Sequence, residues 1–394
     1  MSECSISPGS VNLRIHGNDE MYLRELAEAA GNKDLATWRY LRTGEQIARA
    51  VDRFMEWKFG GLDKVTSLLD FACGYGRVTR FLAARVPIDR IWVSDIYPEA
   101  VSFQKQQFGV NGFVSVADPA ELQVCRTFDC VLAVSLFSHL PADLFEAWLA
   151  RLAGLLNENG VLMFSVHDAS LLPGLCLNEA GFRFLEESES RTLSKQQYGT
   201  MYVDEGFVRR AAGSAKPGHE LWRIPRALGS FQDVYLLSGT AGPSFKPLQY
   251  DYGPIGAVET VEIRGNRLEI TGRAADLTEG SEVLISVLLN GRTIGQGRPE
   301  TPRPDVVKWT GFQSALLSGF SLTMNLPRGY SGSDLLLVKA CGSKGGNNYI
   351  LHVGPLTDSA ARFPAGQRDR LKTRLFPLSS NLKRLRMCWR RNDS

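Results

Sequence analysis

Leu68-Leu69-Asp70-Phe71-Ala72-Cys73-Gly74-Tyr75-Gly76 is the stretch on which the fold of this chain turns. An apolar run from Val65 to Phe71 passes through small residues into helical spacing from Arg77 to about Arg85. Small residues let backbone approach a ligand closely, and a helix that starts there aims its first N–H groups at it. The same rhythm continues downstream: a run Ile91–Ser94, a helix Pro98–Gln107, a short strand Gly112–Val116 and a buried strand Phe128–Val134. A helix Ala142–Leu156, burying Phe145, Trp148, Leu149, Leu152 and Leu156, stops at Asn157-Glu158-Asn159-Gly160 before the strand Val161–Val166. Strands that alternate with helices at this spacing predict a doubly wound, mainly parallel α/β sheet.

Upstream, Leu35, Trp38, Leu41, Ile47, Val51 and Phe54/Met55 recur at helical spacing, so residues 1–60 read as a helical lead-in. After His167 the alternation breaks into a strand Phe182–Leu185, a helix Glu205–Ala212 and a last strand Gln232–Leu237. The catalytic-type domain is placed at 61–239, and the Gly-, Pro- and Ser-rich stretch 240–256 as a linker. Residues 257–356 show no helical period but short alternating runs, Arg267–Thr271, Val283–Leu289 and Leu335–Lys339, with Asn290-Gly291 as a hairpin signal. They predict a β-sandwich.

Composition narrows the class. With 394 residues, 44% hydrophobic and 22% charged, the chain can bury two cores. Nothing in Met1–Glu20 reads as a secretory signal, and the densest apolar run, Val283–Leu289, is far shorter than a membrane span, so a cytoplasmic protein is expected. Seven cysteines without CxxC pairing read as free thiols, and no His/Asp/Glu cluster at ligand spacing implies a metal. The net charge of +3 is uneven: residues 357–394 form a basic amphipathic tail in which Leu371, Leu375, Phe376, Leu382, Leu385, Met387 and Trp389 alternate with Arg and Lys. The rest of the chain is then mildly acidic, which argues against nucleic acid as a partner. The tail suits a peripheral contact with an anionic membrane surface or an acidic partner, or is simply solvated.

The turn itself is not a nicotinamide fingerprint, because Thr79 stands where the third glycine of GxGxxG would be. An acid closing the strand before the turn suits a ligand carrying an ammonium group. Taken together, Val65–Asp168 resembles the class I S-adenosylmethionine-dependent methyltransferases, whose first motif runs D-x-G-C-G-x-G, with Ala72 standing where the first glycine would be. The resemblance implies a Rossmann-like methyltransferase fold with an antiparallel last strand, and S-adenosylmethionine as cofactor. It implies that Asp70 and the backbone of Ala72, Cys73, Gly74, Tyr75 and Gly76 hold the methionine end, and that Asp95 takes the ribose hydroxyls. Ile96 would cover the adenine, Ala117 and Asp118 would flank its amino group, and Ser135, Leu136 and Phe137 would flank the sulfonium. The extra methyl of Ala72 is expected to narrow the turn only slightly.

Methyl transfer is an in-line displacement, and an alcohol acceptor gains from a base. His139 and His167 both fall on the carboxyl edge of the sheet, where ligands bind. His139 reads either as a base or as a helix cap bonded to a loop carbonyl; His167 reads either as a base or as loop packing, with Asp168 available to orient it. Tyr198, Tyr202 and Arg209 are candidate acceptor contacts or, equally, packing and surface residues. In the second module, Arg303-Pro304-Asp305-Val306 followed by Gly319-Phe320 resembles a β-sandwich appended to bacterial surface-polysaccharide enzymes; Arg303 and Asp305 either bind sugar or clasp a turn, with Asp305 accepting from backbone N–H groups. The reading is a methyltransferase acting on oxygen of a sugar or glycan intermediate. N- or C-methylation of a small metabolite is one alternative, and an inactive glycan-binding scaffold another.

Overall fold

The computed structural model describes residues 11–172, 174–187, 193–229, 231–238, 250–343, 348–357 and 359. The chain divides into two compact units that meet between Tyr250 and Asp251. Residues 240–249 of the expected linker and the basic stretch after 359 lie outside the described residues. Among the described residues, no helix is long and apolar enough to cross a membrane.

The first unit opens with helices α1 (Glu20–Glu28) and α2 (Lys33–Phe59), capped by Asp19 and Asn32, whose side chains accept from the first-turn N–H groups. The buried stripe of α2 runs through Ala36, Tyr40, Gly44, Ile47, Ala48, Val51, Phe54 and Met55. The expected stripe is therefore rotated in its first half, where Leu35, Trp38 and Leu41 are only half-buried. Gly44 is required there: a Cβ would stand 2.1 Å from the Arg77 carbonyl oxygen.

Then follow β1 (Leu68–Phe71), α3 (Thr79–Leu82), β2 (Ile91–Asp95), α4 (Pro98–Phe108), β3 (Asn111–Val114), β4 (Phe128–Ala133), α5 (Ala142–Ala153) and β5 (Leu156–Asp168). Strands β3-β2-β1-β4-β5 are parallel neighbours in that order, so the chain reverses direction across the sheet between β1 and β4. That reversal opens a crevice at their carboxyl ends. The expected helix to Leu156 ends at Ala153, because Leu156 pairs with Phe128 and already belongs to β5. The helix expected over Arg77–Arg85 is regular only across Thr79–Leu82, continued on either side by single turns.

The rest comprises β6 (Phe182–Leu185), β7 (Thr200–Val203), α6 (Glu205–Ala215), β8 (Leu221–Leu228) and β9 (Gln232–Ser238). Strand β9 lies antiparallel to β5, as the sequence predicts for the last strand, while β7 and β8 were not legible in it. Leu69, Phe71, Phe128, Val131, Phe137, Phe145, Trp148, Phe164 and Tyr235 lie in one core cluster on the side of α5 and α6.

The second unit holds two antiparallel sheets. One orders β10 (Pro254–Arg264), β11 (Arg267–Asp276) and β14 (Gly319–Asn325); the other β13 (Arg292–Gly297), β12 (Val283–Leu289), β15 (Leu335–Gly342) and β16 (Asn348–Pro355). Val258, Leu268, Ile270, Phe320, Ile285, Val287, Leu336 and Val338 bury one core between them. Asn290 and Gly291, at φ 48° and 80°, make the two-residue turn between β12 and β13. One expectation is corrected: Pro304–Thr310 is a helix, α7, with Pro at its first position and Gly311 in the left-handed conformation after its end. That Pro-first, Gly-after asymmetry is a helix signature despite the missing period.

Candidate active site

The turn after β1 is built from three left-handed residues, Ala72, Gly74 and Gly76, at φ 56°, 55° and 80°. Gly76 is required twice over, since a Cβ there would meet the Phe108 ring at 2.4 Å and Gln104 Oε1 at 2.9 Å. At Gly74 a Cβ would meet nothing within 4 Å, so its glycine answers to the backbone angle and the space beside it is open. Ala72 adopts the same hand without that freedom, at a cost in conformational energy. Buried Gln104 donates to the Gly74 carbonyl at 2.7 Å and to Cys73 Sγ at 2.9 Å, which fixes the turn from below.

Two buried carboxylates face this turn. Asp70 accepts from Thr79 Oγ1 at 2.7 Å; Asp95 accepts from Gly74 N at 2.7 Å and Tyr97 N at 3.0 Å. Burial pushes the Asp70 carboxyl up to about 6, against the lowering effect of Thr79 and with the Asp95 charge adding to it. Burial raises Asp95 as well, opposed by its backbone donors. No cation is among the groups acting on Asp70, so a ligand bringing positive charge beside it would relieve its desolvation. Ile96 is half-buried beyond the tip of β2, and Ala117 and Asp118 are exposed beyond β3, where Asp118 accepts from Ala120 N at 2.9 Å.

Residues 12–19, which carry no motif, also lie along this turn. His16 stacks on Tyr75 with ring centroids 4.6 Å apart, and Tyr75 Oη donates to Glu99 at 3.0 Å. Arg80, 1% exposed, donates to the carbonyls of Asn12, Arg14 and Gly76 at 3.2, 2.9 and 2.9 Å. A buried guanidinium thus ties the lead-in to the turn. Burial lowers its pKa, and Tyr40 and Asp19 oppose that.

At the end of β4 the chain turns through Ser135, φ 60°. Leu136 is buried, and Phe137 points into the core, its ring centroid 4.7 Å from Phe145 and 5.0 Å from Phe164. Phe137 is therefore removed from the expected sulfonium contacts, because the left-handed step at Ser135 sends its side chain inward. His139 is not a helix cap: Pro141 caps α5 without a side-chain bond. Its Nδ1 lies 2.7 Å from the Gly199 carbonyl, and its ring stacks on Tyr198 at 4.7 Å. A carbonyl only accepts, so Nδ1 carries the proton and the neutral ring's basic lone pair is on Nε2.

His167 lies 6.0 Å from His139, ring centre to ring centre, packed beside Tyr202 at 5.5 Å and Phe231 at 5.0 Å. Burial depresses its pKa to about 3, helped by His139, Arg226 and Arg24 of α1, so the ring is neutral and a weak base. Asp168 does not orient it. Asp168 Oδ2 is held by Arg223 at 2.8 Å, and Oδ1 accepts from Ser170 N at 2.9 Å. His167 Nε2 lies 3.3 Å from Gln232, which the sequence marks as the start of the last strand, and a backbone hydrogen bond with Met201 acts on the ring. Tyr202 is buried against His167. Arg209 lies apart on the exposed side of α6, bonded to Glu205 at 2.7 Å, and lines a surface cleft of about 510 Å³ with Arg223 and Trp222.

Residues 37–211 match the family model described as "Methyltransferase domain". The chain carries a class I S-adenosylmethionine-dependent methyltransferase domain. It is an enzyme unit with S-adenosylmethionine as cofactor. No curated protein matches the chain. Among solved structures, the methyltransferase domain is similar to magnesium protoporphyrin IX methyltransferase from Synechocystis PCC 6803 (16% identity, 51% of this chain and 85% of that one, TM-score 0.34). It is also similar to an amino pentose methyltransferase from Micromonospora echinaspora (16%, 59% and 100%, 0.40). A third is the 1,6-didemethyltoxoflavin-N1-methyltransferase of Burkholderia thailandensis (19%, 59% and 94%, 0.36).

In the second unit, Arg303 bonds Asp305 at 2.7 Å and Glu259 at 3.0 Å, and Arg273 bonds Glu259 at 2.7 Å. The turn clasp expected from the sequence, with Asp305 accepting from backbone N–H groups, is corrected: the Asp305 carboxylate lies on the Arg303 guanidinium in an ion-pair cluster, at the start of a helix.

Proposed function

We propose that this methyltransferase acts on oxygen of a sugar or glycan intermediate of bacterial surface polysaccharide. The observation that carries the oxygen acceptor is the bond between His139 Nδ1 and the Gly199 carbonyl, which leaves a positioned imidazole with its lone pair on Nε2 at the carboxyl edge of the sheet. The saccharide class is supported by the likeness of residues 257–356 to modules of polysaccharide enzymes.

S-adenosylmethionine supplies a methyl group on positively charged sulfur. In this reading Asp70 pairs with its ammonium group, the open backbone at Gly74 admits its methionine end, and the lone pairs left on Asp95 receive the ribose hydroxyls. Ile96, Ala117 and Asp118 border the adenine, and Ser135 and Leu136 the reacting side. His139 Nε2 takes the proton of the attacking hydroxyl, while Tyr198 behind the ring and Gly199 at Nδ1 hold it in line. Orientation contributes about 7–11 kcal/mol and the base about 10²–10⁴-fold in rate.

The test is incubation with radiolabelled methyl donor and panels of nucleotide-sugars, lipid-linked glycans and small amines. Label on a saccharide, lost by about 10²-fold or more in rate in His139→Ala, is the expected result. Label on a nitrogenous metabolite that is indifferent to His139→Ala would overturn it.

A further inference from the structure

The Gln232 side chain, 8% exposed at the start of β9, uses its whole hydrogen-bonding capacity. Its Oε1 accepts from Ser135 Oγ at 3.0 Å and from Ser165 Oγ at 2.9 Å. Its Nε2 donates to Ser138 Oγ at 3.4 Å and lies 3.3 Å from His167 Nε2. The surrounding bonds fix which end of the amide is which. Ser138 Oγ gives its own proton to the Ser135 carbonyl at 3.0 Å, so toward Gln232 it accepts. Ser165 Oγ accepts from Ser135 N at 2.8 Å and has its proton left for Oε1. With two donors on Oε1, the amide NH₂ faces His167, whose Nε2 must then be the acceptor. The imidazole proton therefore sits on Nδ1, and a backbone hydrogen bond with Met201 acts on the ring.

The residues joined this way are remote in sequence but adjacent in the site. Ser135 and Ser138 belong to the left-handed turn that carries His139, and His167 is the tip of β5.

We propose that Gln232 is a positioning residue for the acceptor side of the site: it locks the 135–139 turn that carries His139, and it holds His167 in the Nδ1–H tautomer. The side chains around the ring are His139, Arg24, Arg226, Tyr202 and Phe231. The part played in turnover rests on the hydroxyl-acceptor reading; the tautomer does not.

The experiment is ¹⁵N NMR of histidine-labelled protein, the His167 signal assigned by its absence in His167→Ala, with steady-state kinetics on the same samples. Wild-type protein at neutral pH is expected to show His167 neutral and protonated on Nδ1. Gln232→Glu keeps the size but presents an oxygen to Nε2, so the proton moves to Nε2; kcat is expected to fall roughly tenfold or more, with cofactor Kd within about twofold and a larger effect on kcat than on KM. Gln232→Met, which removes all four bonds, is expected to lose rate similarly. An Nε2–H or doubly protonated His167 in the wild type overturns the proposal even if no variant folds, and so does an unchanged kcat in both variants. A correct tautomer with a rate indifferent to His139→Ala sinks the hydroxyl reading and leaves the Gln232 assignment of the tautomer standing.

Discussion

Asp95 Oδ2 accepts the backbone N–H of Gly74 at 2.7 Å, so the tip of β2 braces the turn that leaves β1. The same carboxylate is the expected receiver of the ribose hydroxyls. Asp95→Ala should raise the Kd for S-adenosylmethionine by about 10–100-fold, since charged hydrogen bonds contribute about 1.5–3 kcal/mol. Calorimetric titration measures it, and unchanged affinity would remove the cofactor assignment.

Asp70 gives affinity a pH dependence. The free protein holds this carboxyl up to about 6, through burial and the Asp95 charge against the Thr79 bond. An ammonium partner binds the ionised form, so protons compete with the ligand below that value. Cofactor affinity is expected to weaken about tenfold per pH unit as pH falls below about 6. Asp70→Asn should bind weakly and show a flat profile; a profile that keeps its slope in that variant would assign the titration elsewhere.

The strand, turn and helix around Gly74 were legible because their determinants are local: an apolar run, small residues, then helical spacing. Strand β8 was not, because Arg223, Pro225 and Arg226 break its alternation. Arg223 is accommodated in the sheet by Asp233 and Asp168, carboxylates that only the fold brings to it. Gln232 was hidden for the same reason, since its four partners come from two other segments, the turn after β4 and strand β5. Phe137 was misplaced because one left-handed residue, Ser135, redirects the chain, and no periodicity reports a single reversed φ.

Ala72 is a site where the family pattern's glycine should stabilise. At φ 56° an L-residue carries a left-handed penalty of about 1–2 kcal/mol, and glycine gives back about 0.4–1 kcal/mol through the freer unfolded chain. Ala72→Gly is therefore expected to stabilise the first unit by up to about 1 kcal/mol, and Ala72→Val to destabilise it. Denaturant titration of both variants decides it; a destabilised Ala72→Gly would mean that the methyl packs more favourably than its backbone angle costs.

His167 and Asp70 pull acid stability in opposite directions. His167, depressed to about 3 in the fold, binds its proton only on unfolding, so its contribution is intact above about 6.5 and is lost as pH falls toward 3. Asp70, raised to about 6, does the reverse: the fold holds a proton the unfolded chain releases, so its contribution is present below about 4 and is lost as pH rises through 6. Between pH 4 and 6 the two slopes, each about 1.4 kcal/mol per pH unit, offset one another. Relative to wild type, His167→Asn should gain stability as pH falls through that window and Asp70→Asn should lose it. Parallel curves for all three proteins would show that neither group titrates as its burial requires.

The Arg303 cluster offers a separate decision for the second unit. Arg303 lies on both Glu259 and Asp305, and Arg273 shares Glu259, so removing one member leaves half-buried charge without its partner. Such a network couples its members, whereas a sugar contact need not. A double-mutant cycle of Arg303→Ala and Glu259→Ala is expected to return a coupling of about 0.5–3 kcal/mol in the unfolding of residues 251–394. If the cycle is additive within about 0.3–0.5 kcal/mol, while Arg303→Ala abolishes binding of a polysaccharide that the intact protein retains, the guanidinium serves a ligand and the cluster is its resting state. Stability and glycan binding measured on the same two variants separate these outcomes, because only the clasp predicts that the pair is worth more together than apart in the absence of any sugar.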